Sequence, residues 1–325
     1  MILGGDIGGT KTNLAFFEIK ENQLIISAEK KYSSTDHSSL TEIVADFVKS
    51  HNLEVKSACF GIAGPVKNGE AKTTNLPWDV KIENLAKTLQ CNKVQLINDL
   101  EANAWGINSL KENELCTLFE GKEKVAGNRA LISAGTGLGE AGIFFDGKSY
   151  HPFATEGGHA DFAPRNDKEV ALLNYLTKPY GHVSYERVLS GHGLYNIYQF
   201  LNDYYKKKTS KEMSEEMLHE DPAMIISKKA LEQSDPICVE ALDMLISFYG
   251  AEAGNCALRF MAYGGVYIGG GIAPKILEKL KTSLFIESFL GKGRLRPILE
   301  DFTIKVILND KTALIGAAYC AKEHL

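Results

Sequence analysis

Twice in this chain an apolar strand enters a glycine turn and returns as a second strand. The first instance spans residues 2–19, with its turn at Gly8-Gly9-Thr10, and the second spans residues 129–145, with its turn at Gly135-Thr136-Gly137. The repeat of this device predicts a chain of two structurally related lobes, each built on a β-hairpin. Two short glycine hairpins also arise independently, so the sequence leaves open whether one lobe is a duplicate of the other.

Strand and helix periodicities alternate after the first hairpin. A strand is predicted at 24–28, a helix at 38–50, a strand at 57–62, a helix at 81–90 and a strand at 93–97. Together with the hairpin, this order predicts a β-β-β-α-β-α lobe up to about residue 110 and places the chain in the α/β class.

The second half is predicted to be mostly helical. Asp221-Pro222 and Asp235-Pro236 each join a capping acid to a proline suited to the first helical position, so a helix is predicted after each pair. A strand at 266–268 runs into Gly269-Gly270-Gly271. A last strand at 303–308 and a helix at 312–322 are expected to return and complete the first lobe.

Size, charge and cysteine usage argue against several classes of protein. At 325 residues the chain is about two domains long. A net charge of -5 without a basic face disfavours nucleic acid as a partner. The six cysteines include no C-x-x-C pair, which indicates reduced thiols rather than a disulfide scaffold or a zinc site. With no secretory signal, and with its most apolar window (260–274) too short for a membrane span, we expect a cytoplasmic protein.

Asp99 is the candidate catalytic base. Asn98-Asp99 ends the predicted strand at 93–97 and opens a helix-forming segment, which places the carboxylate at the carboxyl end of a strand. Open α/β sheets bind their ligands at that edge. The pair is equally suited to capping the following helix, and the sequence by itself leaves both interpretations open.

Asp6-Ile7-Gly8-Gly9-Thr10 has the parts of a phosphate-binding turn. Its glycines let backbone N–H groups approach anionic oxygens, Thr10 adds a hydroxyl, and Asp6 is suited to holding Mg²⁺. The turn is not a Walker loop, because Thr10 precedes Lys11. An ordinary hairpin turn is the alternative.

Gly135-Thr136-Gly137 is the second candidate phosphate turn. Gly137, Gly139 and Gly142 also fit G-x-G-x-x-G, but a dinucleotide fingerprint requires a helix after the glycines. The residues that follow favour a strand, so we reject a Rossmann interpretation. A tight hairpin turn remains the alternative.

Three further motifs carry polar or glycine-rich chemistry. Glu156-Gly157-Gly158-His159 places an acid and an imidazole three residues apart, which suits a polyol, whose hydroxyls both donate and accept hydrogen bonds. A structural histidine is the alternative, and a metal role is disfavoured because no Cys or His cluster follows. Glu186 precedes an apolar turn into glycine and is otherwise surface charge. Gly269-Gly270-Gly271 suits flat packing against a base or ribose, with a plain turn as the alternative.

In this order the motifs resemble the bacterial glucokinase family, the hexokinases without the ROK zinc motif within the actin-like ATPase superfamily. The match runs from Asp6 to about Gly316. The motifs that carry it are Gly5-Asp6-Ile7-Gly8-Gly9-Thr10, Thr74-Asn75-Leu76-Pro77-Trp78, Ile97-Asn98-Asp99, Gly135-Thr136-Gly137-Leu138-Gly139, Glu156-Gly157-Gly158-His159, Glu186-Arg187-Val188-Leu189-Ser190-Gly191 and Ile268-Gly269-Gly270-Gly271-Ile272-Ala273-Pro274.

The resemblance implies a fold, a reaction and an assembly. The fold is a two-lobed actin-like ATPase (ribonuclease H-like) sugar kinase with a cleft between the lobes. It is divided into a small α/β domain (1–110 plus 301–325) and a large α+β domain (111–300). The reaction moves the γ-phosphate of ATP to the 6-hydroxyl of glucose, with Mg²⁺ as cofactor, and the assembly is a homodimer.

The resemblance also implies roles for individual residues. Asp99 is the general base, and Asp6 holds Mg²⁺ through water. Asn13 and Leu100 depart from residues found in some relatives without altering the reaction. The implied sugar ligands are Asn75, Asn98, Asp99, Glu156, His159 and Glu186. The implied nucleotide ligands are Gly5, Asp6, Ile7, Gly8, Gly9, Thr10, Gly135, Thr136, Gly137, Gly269 and Gly270.

Three other functions compete with this interpretation. A kinase for another hexose or an N-acetylhexosamine would use the same scaffold and differ in a few sugar contacts. A sugar-sensing repressor needs a DNA-binding helix-turn-helix, for which there is no room ahead of Asp6. A chaperone or filament ATPase would lack the sugar residues Glu156, His159 and Glu186.

Overall fold

The computed structural model describes residues 1–21, 23–73, 76–122 and 125–325. These residues form two compact units. The N-terminal unit comprises Met1–Glu114, His151–Ala154 and Asn309–Leu325, and the central unit comprises Leu115–Tyr150 and Thr155–Leu308. None of the helices in the described ranges combines the length and the apolar surface that crossing a bilayer requires.

Strands dominate the first half of the described residues, and helices dominate the second half. The strands are Ile2–Ile7 (β1), Lys11–Lys20 (β2), Gln23–Ser33 (β3), Ser57–Ile62 (β4), Val66–Lys67 (β5), Glu70–Lys72 (β6), Asp79–Lys81 (β7), Val94–Asn98 (β8), Leu115–Phe119 (β9), Arg129–Ala134 (β10), Leu138–Phe145 (β11), Tyr150–Thr155 (β12), Val266–Gly269 (β13) and Ile304–Ile307 (β14). The helices are Leu40–His51 (α1), Ile82–Leu89 (α2), Asp99–Gly106 (α3), Asp167–Tyr180 (α4), Gly191–Tyr204 (α5), Lys211–His219 (α6), Pro222–Leu231 (α7), Pro236–Phe260 (α8), Leu277–Leu280 (α9), Ser283–Leu290 (α10), Arg296–Leu299 (α11) and Thr312–Glu323 (α12).

The N-terminal unit is built on a five-stranded sheet in the order β3-β2-β1-β4-β8. β1, β4 and β8 are parallel, and β2 and β3 are antiparallel to their neighbours. All six residues of β4 are buried, because helices cover both faces of this central strand. One face packs on α1 and α2 around Phe16, Phe47 and Phe60, and the other packs on the small residues of α12.

α12 approaches the sheet and α3 closely because glycines line its contacts. A Cβ on Gly316 would overlap the carbonyl oxygen of Ala102, and a Cβ on Gly106 would overlap that of Thr312. A Cβ on Gly4 would lie 2.9 Å from the carbonyl oxygen of Leu314. These close approaches fix the orientation of α3, the helix that begins at Asp99.

The central unit is built on a six-stranded sheet in the order β12-β11-β10-β13-β14-β9. β10 pairs antiparallel with β11 and parallel with β13, as β1 pairs antiparallel with β2 and parallel with β4. The two hairpins predicted from the glycine turns are therefore confirmed. Of the last two elements of the chain, β14 pairs with β13 in this sheet, whereas α12 belongs to the N-terminal unit.

Helix α8 forms the centre of the helical layer in the central unit. Asp235 caps it by accepting hydrogen bonds from Ile237 N and Cys238 N, with Pro236 in its first turn. Asp221 caps α7 in the same way. Both predicted helix starts are confirmed, and α8 is buried over most of its length because α5, α7 and α10 pack around it.

Candidate active site

In the N-terminal unit the register of the parallel strands brings three strand ends to one edge of the sheet. Ile7 pairs with Ile62, and Ile62 pairs with Asn98. The turn after β1 and the acid after β8 therefore leave the sheet at the same edge, two strands apart. Open α/β sheets bind ligands at such an edge.

Buried hydroxyl groups brace the turn after β1. Gly8 N donates to Lys11 O at 2.9 Å and closes the turn. Ser34 Oγ donates to Gly8 O at 2.9 Å and lies 2.9 Å from Thr12 Oγ1, while Ser34 N donates to Thr10 O at 2.9 Å. Thr12 and Ser34 are both fully buried. The carbonyl groups of Gly8 and Thr10 are thereby held against the protein, which fixes the shape of the turn.

Asp6 is half-buried beside this turn. Asn13, its partner across the β1–β2 pair, donates from Nδ2 to Asp6 Oδ2 at 3.2 Å. Burial raises the pKa of the Asp6 carboxyl, and the Asn13 hydrogen bond and the Lys31 charge partly oppose that rise. A carboxylate removed from water is stabilised by a cation, so Asp6 suits a hard metal ion.

Two of the predicted nucleotide residues are buried within strand β1. Gly5 and Ile7 are buried in the sheet. A Cβ on Gly5 would lie 2.5 Å from the ring of Phe60, so packing alone requires glycine at this position.

Asn98 caps helix α3, which is one of the two roles that the sequence suggests for the Asn98-Asp99 pair. Its Oδ1 accepts from Leu100 N at 2.8 Å, and its Nδ2 donates to Gly64 O at 3.2 Å. Asp99 is the first helical residue and is half-buried, and its Oδ1 also accepts from Leu100 N, at 2.9 Å. The cap fixes the direction in which α3 leaves the sheet and thus the position of Asp99.

Substitutions of Asn98 distinguish the contribution of its capping oxygen from that of its amide N–H. Asn98→Ser keeps a capping oxygen, so we expect it to be about 1 kcal/mol more stable than Asn98→Ala, which loses the cap. Both variants lose the N–H that binds Gly64 O. Differential scanning calorimetry tests this expectation, and equal melting temperatures for the two variants would show that the cap contributes nothing.

In the central unit the second glycine turn contacts both Glu186 and the start of α5. Gly135 N donates to Gly137 O at 2.8 Å, and Gly191 N donates to Gly135 O at 2.8 Å. Leu138 N donates to Glu186 Oε2 at 3.0 Å. A Cβ on Gly137 would lie 2.5 Å from that same oxygen, so glycine is needed for the carboxylate to reach the turn.

Glu156-Gly157-Gly158-His159, which we call the sugar turn after the role predicted for it from the sequence, lies beside the Glu186 segment. His159 N donates to Glu156 O at 3.0 Å, and the side chains of Glu156 and His159 are exposed. Tyr185 N donates to Ala160 O at 3.0 Å and joins the two segments. A Cβ on Gly158 would overlap Leu138 O. The sugar turn, Glu186 and the second glycine turn therefore meet at the start of β11.

Gly270 places the third glycine motif over the end of β10. Its φ is +84°, and a Cβ there would overlap Ala134 O. Ile272 N donates to that same oxygen at 3.2 Å. The motif thus turns next to Gly135, the first residue of the second glycine turn.

A cavity of about 250 Å³ opens between this motif, the second glycine turn and helices α5, α7 and α8. Its lining is mainly apolar and includes several polar side chains. The apolar side chains are Leu194, Ala223, Met224, Leu242, Leu245, Ile272 and Ile276, and the polar ones are His192, Asp221, Ser227 and Lys275.

Comparison with known proteins identifies the family. A family model described as Glucokinase matches residues 3–324 of the chain. The chain belongs to the glucokinase family. The glucokinase of Nostoc sp. (strain PCC 7120 / SAG 25.82 / UTEX 2576) is 44% identical over 99% of this chain and 98% of its own length. The glucokinase of Shigella sonnei (strain Ss046) is 37% identical over 99% of this chain and 97% of its own length.

Solved glucokinase structures share the fold. A glucokinase from an Antarctic psychrotroph superposes with a TM-score of 0.87 at 30% identity and covers 99% of this chain and 98% of its own. A ROK family glucokinase from Streptomyces griseus gives a TM-score of 0.64 at 21% identity, with 99% of each chain covered. Both the family resemblance and the actin-like ATPase fold class predicted from the sequence are confirmed. Glucokinases are transferases that use ATP as the phosphate donor.

Several contacts of this glucokinase-family chain had no signal in its sequence. Thr12 in β2 and Ser34 directly after β3 brace the first turn, and Leu242 and Leu245 line the cavity from α8. Asp221 did have a sequence signal, because the pair Asp221-Pro222 marks the start of α7, and Asp221 also lies at the cavity wall. Asn75, a predicted sugar ligand, lies outside the described residues.

Proposed function

We propose that the chain transfers the γ-phosphate of ATP to the 6-hydroxyl of glucose, giving glucose 6-phosphate and ADP. The observation that supports this most is the shared sheet edge in the N-terminal unit, where a phosphate-type turn and an acid leave the sheet together through the pairings Ile7–Ile62 and Ile62–Asn98. Membership of the glucokinase family supplies the identity of the sugar.

Asp99 is the general base of this proposal. Its carboxylate accepts a hydrogen bond from the attacking 6-hydroxyl and takes the proton late in the transfer. Phosphoryl transfer asks little covalent chemistry of the protein, so orienting the hydroxyl is the main task. The cap by Asn98 and the close packing of α3 on α12 support that role, since they hold Asp99 in one place.

Backbone N–H groups bind the phosphates. The N–H groups of Gly8 and Gly135 are used within their own turns, on Lys11 O and Gly137 O, so the proposed donors are Gly9 and Thr10 in the first turn and Thr136 and Gly137 in the second, with the Thr10 and Thr136 hydroxyls beside them. When bound, Mg²⁺ neutralises phosphate charge, and Asp6 would hold it through water. The half-buried Asp6 carboxylate suits this role, because Mg²⁺ prefers oxygen donors and usually keeps several of its waters.

Asn98, Glu156, His159 and Glu186 are the proposed sugar ligands, together with Asn75. Their amide, carboxylate and imidazole groups supply the donors and acceptors that sugar hydroxyls need. The junction at the start of β11 supports grouping Glu156, His159 and Glu186, because their segments meet around Leu138.

The cavity beside Gly269 and Gly270 is the proposed nucleoside site. Its apolar wall, including Leu242 and Leu245, suits a planar base, and Asp221 and Ser227 offer partners for polar atoms of a nucleoside. Its position next to Gly135 and Thr136 supports one continuous site for base and phosphates. The homodimer implied by the resemblance is also part of the proposal, and light scattering on the purified chain measures it.

A substrate panel tests the proposed reaction. We expect glucose to give the highest kcat/KM among glucose, mannose, fructose and N-acetylglucosamine, measured by coupled assay with ATP and Mg²⁺. Sites that hydrogen-bond a substrate hydroxyl reject analogues that lack it or misplace it. Another sugar winning by about tenfold would reassign the substrate within the kinase class, and no turnover on any of the four would overturn the proposal.

A further inference from the structure

A buried carboxyl group lies directly beneath the sugar turn. Glu140, on β11, is only 1% exposed. A Cβ on Gly157 would overlap Glu140 Oε2, so the turn rests on the carboxyl with no spacing. Thr155 Oγ1 donates to Glu140 O at 2.9 Å and accepts from Gly157 N at 3.2 Å. Glu140 therefore supports Gly157 through both its side chain and its main chain.

Helix α8 places a second buried acid against Glu140. Glu252 is fully buried, and ligand atoms of Glu140, Glu252 and Cys256 lie within 4.8 Å of one another. Arg259 is the cation they share, with Nη1 2.7 Å from Glu252 Oε1 and 3.3 Å from Glu140 Oε2. One guanidinium nitrogen thus faces two carboxyl groups.

The neighbours of the two acids favour the charge on Glu252. Asn255 Nδ2 donates to Glu252 Oε2 at 2.6 Å, and Lys292 donates to Asn255 Oδ1. Glu140 has the longer contact to Arg259, and its Oε1 has no hydrogen-bond partner among the described residues. A neutral Glu140 would avoid placing two charges together in a buried site.

The pKa of Glu140 agrees with this arrangement. Burial, with the charge of Glu252 beside it, raises the pKa of Glu140 to about 7, and Cys256 and Arg259 oppose the rise. Burial lowers the pKa of Lys292 to about 8. Besides Glu252, Cys256 and Arg259, whose helix packs on Glu140, Tyr185 and Lys292 reach the cluster through Asn255.

We propose that neutral Glu140 is a positioning residue for the sugar, holding Gly157 so that Glu156 and His159 face their ligand. The inference rests on the proposed glucose kinase activity and deepens it. Ionised Glu140 adds a second charge beside Glu252 and needs hydration, and Gly157 occupies the space that water would require. The sugar turn then moves, and the affinity for sugar falls.

The pH dependence of KM tests the proposal. Glu140 is neutral below its pKa of about 7 and ionised above it. We expect the wild-type KM for glucose to rise about fivefold or more between pH 6.5 and 8.5. Any change in kcat over this range should not depend on Glu140. In Glu140→Gln, which stays neutral, that rise should disappear, and KM should match the low-pH value of the wild type. Steady-state kinetics at saturating ATP and Mg²⁺ measure both constants.

Two more variants control the test. Glu169 is another buried acid of this unit, 4% exposed and paired with Arg165 at 2.9 Å, so Glu169→Gln should keep the wild-type rise in KM. Gly157→Ala pushes a methyl group into Glu140 Oε2 and should raise KM at every pH while leaving kcat within about twofold. Thermal melts of each variant establish that it is folded.

Each outcome supports or overturns the inference. A flat wild-type KM profile overturns it even if Glu140→Gln does not fold. The same KM rise in wild type and Glu140→Gln, or a loss in kcat without a change in the KM profile, also overturns it. Failure of the wild type to phosphorylate glucose at pH 6.5 is a different result, because it contradicts the proposed function itself.

Discussion

We expect the Asp99→Asn substitution to lower kcat for glucose phosphorylation by about 10³-fold, within the usual range for loss of a general base. Asparagine has nearly the same size and can still accept from Leu100 N, so α3 should begin as before. It cannot take a proton from the sugar hydroxyl. KM for ATP should stay within about twofold of the wild-type value, because Asp99 is not among the proposed nucleotide ligands. Coupled-assay kinetics and a melting curve measure these effects.

Glu101 provides the matched control for Asp99. It lies two residues further along α3 and is half-buried, and burial raises its pKa while Trp105 opposes the rise. Glu101→Gln makes the same chemical change on the same helix, so kcat should remain within about twofold of the wild type. A folded Asp99→Asn enzyme that keeps more than about a tenth of wild-type kcat would remove Asp99 from the role of base.

Local signals in the sequence were sufficient for the elements that carry the site. The two glycine hairpins, the helix starts at Asp221-Pro222 and Asp235-Pro236, and the strand ending at Asn98 all depend on residues close together in the chain. Turn and cap preferences act over a few residues, so a sequence pattern contains them.

Contacts between distant segments were not predictable in this way. Ser34 binds Gly8 O from 26 residues away, and Glu140 meets Gly157 only because β11 passes under the sugar turn. In the sequence, Glu140 is one acid within a strand. Its burial against Glu252 depends on the packing of α8, more than 100 residues later, and no local pattern encodes that packing.

Glycines show the same limit within one motif. Gly5 is grouped with Gly8 and Gly9 as a nucleotide ligand by the family resemblance, and the structure gives it a packing role against Phe60. A glycine required by a neighbouring ring and a glycine required by a ligand look identical in a sequence. The two are distinguished only by whether the glycine lies within the strand or beyond its end.

We expect Gly270→Ala to raise KM for ATP by about tenfold and to leave KM for glucose nearly unchanged, because the substitution displaces the turn proposed to bind the nucleoside. Its φ of +84° is unfavourable for alanine, and the new methyl group would overlap Ala134 O. The turn must move away from β10, which shifts Gly269 and the wall formed by Ile272. We also expect a loss of stability of about 1–3 kcal/mol.

Gly147→Ala separates the loss of stability from the loss of binding. Gly147 has φ of +95° in the connection between β11 and β12, and nothing lies within 4 Å of an added Cβ. Alanine there carries a similar backbone strain with no overlap, and Gly147 does not belong to the proposed nucleotide site. Its melting temperature should fall, while KM for ATP stays within about twofold of the wild type. An equal rise in KM for ATP in both variants would mean that lowered stability, rather than displacement of the Gly270 turn, controls nucleotide binding.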